Sequence, residues 1–344
     1  MSVLPDSAGN TTGNTMGNDT GRLASAVAAR ARLGHSVAMA LLAAMLWGTT
    51  GTAQSLAAAG LSSYWVGALR LIVACVFFAL LAMAQGRMAG GLGAVGGRLT
   101  KDLAALPRMP MLAAGACMAV YNLAFFAGIR ATDVAVGTAL AIGSGPIWAG
   151  LLQVLIARRP LSSAWFAGTG LALAGGVLMV LRGPQSSALS ASFAVPNSSH
   201  WPLGVSLCLL AGLAYAAYTL LSKRLVQRAA PTTVTLAVFT SAALLAAPAA
   251  WVLAGPLQLR LSDALLLCYL GGIATGVAYL LFNHALRHLS GAAGVTLALA
   301  EPVTAFVLAV AVLGERPAVA AYLGLSLMLA GLALVVRAEM RDTR

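Results

Sequence analysis

The sequence predicts an all-α polytopic membrane protein: ten transmembrane helices arranged as two inverted five-helix repeats. Three observations lead there: the composition, the spacing of the apolar runs, and an internal likeness between the two halves. Of the 344 residues, 60% are hydrophobic and 9% charged, against about 45–50% and about 25% in a soluble domain. A compact soluble fold has too little interior to hide that much apolar surface. A soluble enzyme is thereby excluded, and so is a disordered or fibrous chain.

Charge-poor runs of about 20 residues, the length that crosses about 30 Å of hydrocarbon, fall in order. In the first half they lie near 35–56, 63–85, 109–129, 133–156 and 161–181. In the second they lie near 203–222, 232–254, 264–286, 291–313 and 317–336. A closed barrel, the other spanning solution, would alternate apolar and polar residues; these runs are continuous. Residues 1–33, rich in Asn, Thr, Gly and Ser, read as a disordered tail, with no cleavable signal peptide expected ahead of the first span. The first repeat then covers 34–182, a Ser- and Pro-bearing linker 183–202, the second repeat 203–338 and a short tail 339–344.

The basic residues orient the set. Of 21 Lys and Arg, 16 fall on the side of the N-terminus, four (Arg130, Arg182, Arg260 and Arg316) on the other, and Arg70 lies within a span. That is a strong positive-inside bias and predicts both termini in the cytoplasm. The same scatter argues against nucleic acid, whose binders cluster their positive charge on one face. Cys75, Cys117, Cys208 and Cys268 have no paired spacing and read as small buried side chains.

The chain also resembles itself. Asn122–Arg130 matches Tyr279–Arg287, Pro146 matches Pro302, Ala174-Gly-Gly matches Ala330-Gly-Leu, and Ala43–Trp47 answers Ala211–Tyr215, all in the same order. Five spans per half is an odd number, so the second copy enters the membrane from the opposite side. Inverted repeats are the architecture of alternating-access carriers.

Intramembrane ionisable groups are costly and mark function by default. Glu301 lies about 15 Å along its helix, near the midplane, and Arg70 about 10–12 Å from the outer side, at about 1.5 Å per residue. Glu301 fits three roles: a proton carrier in a poorly hydrated cavity, a bridge to Arg70, or a contact for a substrate ammonium. Arg70 either clamps a carboxylate in bidentate fashion or snorkels to headgroups beside Tyr64 and Trp65. Pro146, in Gly143-Ser-Gly-Pro146, and Pro302 are expected to break their helices at corresponding depths, the usual sequence pointer to a carrier site.

A carrier cavity needs a few polar groups in apolar walls. Trp47, Thr50, Tyr121, Asn122, Ser144 and Trp148 supply candidates from the first half. Tyr215, Tyr218, Tyr279 and Asn283 supply them from the second. Other motifs carry less. Gly91-Leu-Gly93-Ala-Val-Gly96 spells a dinucleotide fingerprint but has no strand before it, and reads as a flexible cytoplasmic linker. His284 and His288 stand four apart with no third ligand nearby, so no metal and no cofactor are expected. Gly272-Ile-Ala-Thr-Gly276 reads as a helix-packing motif.

Trp47-Gly-Thr-Thr-Gly-Thr52 at the end of the first span, Arg70 in the second, Glu301-Pro302 in the ninth and Leu313-Gly-Glu-Arg-Pro317 after it resemble the EamA group of the drug/metabolite transporter superfamily. The likeness covers roughly residues 36–338. Arg158-Arg159 departs from it, standing where the family often has a Glu-Arg pair. The resemblance implies a ten-helix carrier of the bacterial inner (plasma) membrane and no enzyme. Such a carrier often exports amino acids or related metabolites. Drug or cation efflux, and an uncoupled facilitator or channel, fit the same topology. The expected partners are a small-molecule substrate and the lipid bilayer, with a monomer or homodimer as the working unit.

Overall fold

A computed structural model describes residues 12–56, 61–88, 92–132, 134–156, 158, 160–181, 201–312, 314 and 317–341. Features expected at 1–11, at 183–200 of the linker, and at Arg159, Arg182, Glu315, Arg316 and Arg344 lie outside these residues. The described chain is helical, with no strand. Its first half comprises α1 (Thr12–Leu56), α2 (Ser63–Met88), α3 (Leu92–Ala105), α4 (Arg108–Ala131), α5 (Val134–Leu155) and α6 (Ser163–Leu181). The second begins with α7 (Trp201–Leu225), α8 (Pro231–Ala254) and α9 (Leu261–Cys268), which continues as a π-helix over Tyr269–Val277 into α10 (Ala278–Ala285). It ends with α11 (Gly291–Leu297), α12 (Ala300–Ala311) and α13 (Val319–Arg341). Among the described residues nine stretches are long and apolar enough to cross a membrane, and a tenth, Ser163–Met179, is apolar but shorter. Together they make the ten-helix membrane protein that the apolar runs predict.

The packing repeats when the halves are exchanged. Helix α6 packs on its counterpart α13, and α2 on its counterpart α8. The contact of α4 with α7 is mirrored by that of α10 with α1; α5 with α7 is mirrored by α12 with α1; α4 with α8 is mirrored by the π-helix with α2. Glycines fix the α6–α13 crossing. A Cβ at Gly168 would strike the Gly331 carbonyl, and one at Gly175 the Gly324 carbonyl. Gly324 and Gly331 are the repeat equivalents of Gly168 and Gly175. The two contacts therefore interchange, and they run in opposite directions along the two helices. That is a twofold relation between antiparallel helices, the geometry of an inverted pair. Likewise Gly115 abuts Val238 and Ser241, while Gly271 abuts Arg70 and Val73.

Several expectations are corrected. Helix begins at Thr12 within the segment read as a disordered tail; Leu23–Leu33 is dense in Ala, Leu and Arg, strong helix formers with no breaker before the span. Residues 92–96, within the segment Gly91–Gly96 read as a flexible linker, form the start of α3, whose Leu99 and Leu103 share one face. Pro146 does not interrupt α5. In the second half the helix is broken at Ala298–Leu299, and Pro302 falls in the first turn of α12, where no backbone donor is missed. The chain bridges that break with tight bonds, Leu299 N to Thr296 O and Glu301 N to Ala298 O.

The packing glycines of the eighth span are Gly271 and Gly276, against Val73 and Phe77, and not Gly272, whose Cβ would meet open space. A π-turn brings residues five apart onto one face. Of the four cysteines only Cys208 is buried; Cys75 and Cys117 are half-buried and Cys268 is exposed, on the outer surface of the bundle. Residues 339–341 continue α13 instead of starting a tail, and Glu339 accepts the Ser290 backbone donor below α11.

Candidate functional site

Where the halves meet, five of the candidate residues join one aromatic cluster. Trp47 of α1 contacts its repeat partner Tyr215 of α7 edge-on, with ring centroids 6.2 Å apart, which sets the cluster on the pseudo-twofold axis. Trp47 also meets Tyr279 at 4.9 Å and Phe282 at 5.2 Å. Tyr215 leads on to Tyr121 at 5.4 Å and Tyr218 at 6.4 Å, and Tyr218 to Tyr279 at 5.8 Å. Phe239 and Phe282, which sequence reasoning did not single out, complete the walls. Such ring pairs each add about 0.5–1.5 kcal/mol beyond their burial.

Asn283 is fully buried and donates to the Tyr218 hydroxyl at 3.0 Å and to the Tyr279 carbonyl at 3.0 Å. Among the described residues, eight buried side-chain polar atoms lack a hydrogen-bond partner, and three of them, Trp47 Nε1, Tyr215 OH and Asn283 Oδ1, sit in the aromatic cluster or against it. Native interiors seldom leave such groups unpaired.

The charged residues flank the cluster. Arg70 is half-buried and donates through Nε to Thr275 Oγ1 at 3.1 Å. Thr275 is itself fixed by donating to the Leu270 carbonyl at 2.6 Å, five residues back along the π-helix. The π-turn thus aims a buried hydroxyl at the second span. Arg70 thus engages the eighth span through Nε, and Trp65 donates to the Gly255 carbonyl, 3.0 Å away, at the end of α8. The terminal guanidinium nitrogens have no partner among the described residues.

Glu301 occupies the first turn of α12, at the positive end of that helix dipole. Burial changes at this point: every residue from Gly291 through Ala300 is buried, and every residue from Glu301 through Phe306 is partly exposed. No ion pair within 4 Å joins Arg70 to Glu301 among the described residues, though the two charges lie within electrostatic reach of each other. Tyr121 is within electrostatic reach of both charges. Gly48, next to Trp47, holds α1 against the Glu301 carbonyl and Thr304; Gly212 holds α7 against Ser144 in the same manner.

The symmetric scaffold carries an asymmetric site. The repeat equivalent of Glu301 is Gly145, whose Cβ would face Tyr215 and Val295, and that of Arg70 is the buried Val238. Other candidates stand apart. Asn122 is buried and turned back on its own helix, donating to the Met118 carbonyl at 3.0 Å. Ser144 donates to the Ala141 carbonyl at 3.3 Å. Trp148 of α5 makes no ring contact with the cluster among the described residues and packs partly buried against the core. Thr50 is half-buried; it is its neighbour Thr49 that makes the interhelical contact, 2.6 Å from the Tyr269 hydroxyl. His284 Nδ1 lies 2.8 Å from the Leu280 carbonyl of its own helix. In the turn beyond, partial burial first and then Lys223, Arg32 and Arg287 pull the His288 pKa below the ordinary imidazole value.

Two inverted halves of five spans, meeting on a buried site of aromatic and ionisable groups, define the class of membrane proteins built from inverted repeats. The EamA-like transporter family model matches this chain twice, at residues 35–181 and 202–337, and the chain belongs to that family. It is 36% identical over 304 residues to an uncharacterized transporter, YwfM, of Bacillus subtilis (strain 168), covering 88% of this chain and 94% of that one. A solved crystal structure shares the fold at 20% identity with a TM-score of 0.69, covering 87% of this chain and 96% of the other. The protein is thus a multi-pass membrane transporter.

Proposed function

We propose that the protein exports a small zwitterionic metabolite, an amino acid or a derivative, across the bacterial inner membrane by alternating access, with both termini in the cytoplasm. One observation carries this reading: Arg70 is held by Nε alone, so its paired terminal nitrogens stay available to a carboxylate, while Glu301 offers a counter-charge to an ammonium beyond the same aromatic walls. The unpartnered Trp47, Tyr215 and Asn283 atoms are further groups a polar substrate would satisfy. Glu301 also serves as the proton carrier. It takes a proton when the cavity faces one side and gives it up on the other, so substrate efflux draws on the pH gradient. One chain holds both halves and works as a monomer.

The test is counterflow competition between amino acids and the amines that lack their carboxylate. Wild type should prefer the amino acid. Arg70→Ala should abolish that preference, raising the amino-acid KM about 10-fold or more, as expected for loss of a charge-assisted contact of about 1.5–3 kcal/mol. A second reading follows from the aromatic walls beside a carboxylate, which also suit an organic cation. A wild-type preference for the amine would select it.

A further inference from the structure

The end of the bundle that carries most of the basic residues contains a cavity of about 440 Å³, a turn or two beyond the aromatic cluster along the spans. Its walls come from the end of α2, from α3, from the turn joining α7 to α8, and from Arg287 below α10. Two arginines face it. Arg287 is anchored: its carbonyl accepts from Lys223 Nζ at 3.2 Å and Gln227 Nε2 at 2.9 Å, and its Nε reaches the Val226 carbonyl at 3.4 Å. Its terminal nitrogens, and the whole Arg228 guanidinium, have no partner among the described residues. The single carboxylate in the lining, Asp102 of α3, is engaged by Thr233 Oγ1 at 3.1 Å. Gln85 and Gln227 add neutral donors. The lining therefore carries a net positive charge with donors to spare.

Part of the wall and rim is apolar. Ala82 and Leu99 line the cavity and Leu103 of α3 is exposed one turn from Leu99, while the exposed Val76, Leu80 and Met83 lie on the opposite side of α2. The start of α8 adds to the field: Ala230 provides no side-chain cap and Pro231 has no donor, leaving the Thr232 and Thr233 backbone donors uncapped at the cavity wall.

We infer that this cavity is a headgroup site for an anionic phospholipid, with the phosphodiester held by Arg228 and Arg287 and an acyl chain leaving past Leu99 and Leu103 of α3. A soluble anion has no use for an apolar rim. An anionic lipid uses both parts, and a basic pocket between helices at the charged end of a membrane protein is where such headgroups lodge. Helix α3, with apolar Leu99 and Leu103 on one face and Lys101 on another, lies across the pocket as an interfacial helix. This site is separate from the transport reading and does not depend on it.

The test is binding of short-chain phosphatidylglycerol, phosphatidylcholine and inorganic phosphate to the full-length protein in detergent, read by native mass spectrometry. Phosphatidylglycerol should bind in preference to phosphatidylcholine. Arg228→Ala or Arg287→Ala alone should weaken it about fivefold and the pair about 25-fold, from about 1 kcal/mol per basic residue. Arg108→Ala, a basic residue at the same end but outside the lining, should leave it unchanged. Asp102→Asn should strengthen it, which keeps the site testable if the double variant folds poorly. Equal binding of the two lipids, or a double variant that keeps the preference, overturns the proposal. Displacement of the lipid by millimolar phosphate would also overturn it, assigning the cavity to a soluble anion.

Discussion

At the scale of single residues, a few polar groups in an apolar bundle determine what the site can do. Arg70 and Glu301 were legible in the sequence because a charge inside a 20-residue apolar run stands out and is costly to keep. Their settings were not. Thr275, which fixes Arg70, is an ordinary threonine until the π-turn points it at the second span. Removing its hydroxyl has a defined consequence: Thr275→Val should raise the KM for a carboxylate-bearing substrate about fivefold, the worth of one hydrogen bond of about 1 kcal/mol, with the maximal rate unchanged. Thr275→Ser should restore it, and steady-state uptake kinetics measure both. Glu301→Gln keeps the shape and removes the titrating group. Exchange should persist with a raised KM for an ammonium-bearing substrate, while its acceleration by an imposed pH gradient disappears. A variant that still responds to the gradient would assign the proton to another group.

At the scale of elements, ten apolar runs give the spans, because length and hydropathy decide insertion with little help from tertiary contacts. Interruptions within a span are harder to read, since they depend on partners distant in sequence. Pro146 and Pro302 look equivalent, yet α5 runs through its proline while the ninth span breaks before Pro302. The π-stretch had one available sign, the five-residue spacing of Gly271 and Gly276, which a four-residue helical reading passes over. Rotation decided the remaining candidates: Tyr279 and Asn283 face the cluster, while Asn122 bonds within its own turn.

The glycine crossing of α6 with α13 offers a sharp test at this scale. Gly175→Ala and Gly331→Ala should each destabilise the protein by a similar amount, about 1–3 kcal/mol, because each places a methyl group against the partner backbone. Gly170→Ala, on the same helix with open space around it, should be neutral or stabilising by up to about 1 kcal/mol. Thermal unfolding in detergent compares the three. Unequal losses at Gly175 and Gly331 would argue against the twofold relation.

At the scale of the whole molecule, pairing equivalent helices across a pseudo-twofold axis gives two halves that can rock against each other about a fixed site. The repeat was readable from four short matches, and the odd number of spans in each half forced the inversion. What sequence comparison within the chain left unmarked is the asymmetry, with Val238 and Gly145 standing opposite Arg70 and Glu301. One chemical polarity is thereby built into a symmetric frame. Burial is likewise one-sided: the ninth span is buried throughout from Gly291 to Ala300 and opens from Glu301 onward.

The central claim is that this site cycles between two faces and does not form a pore. Counterflow in proteoliposomes tests it most directly: vesicles loaded with unlabelled amino acid are diluted into trace labelled amino acid, and uptake is followed with time. Transient, saturable accumulation of label above its external concentration, present in wild type and shifted to about 10-fold higher amino-acid concentration in Arg70→Ala, is the predicted result. Label that only equilibrates, at a rate linear in concentration and indifferent to internal substrate, would contradict it and leave an uncoupled pathway through the same ten helices.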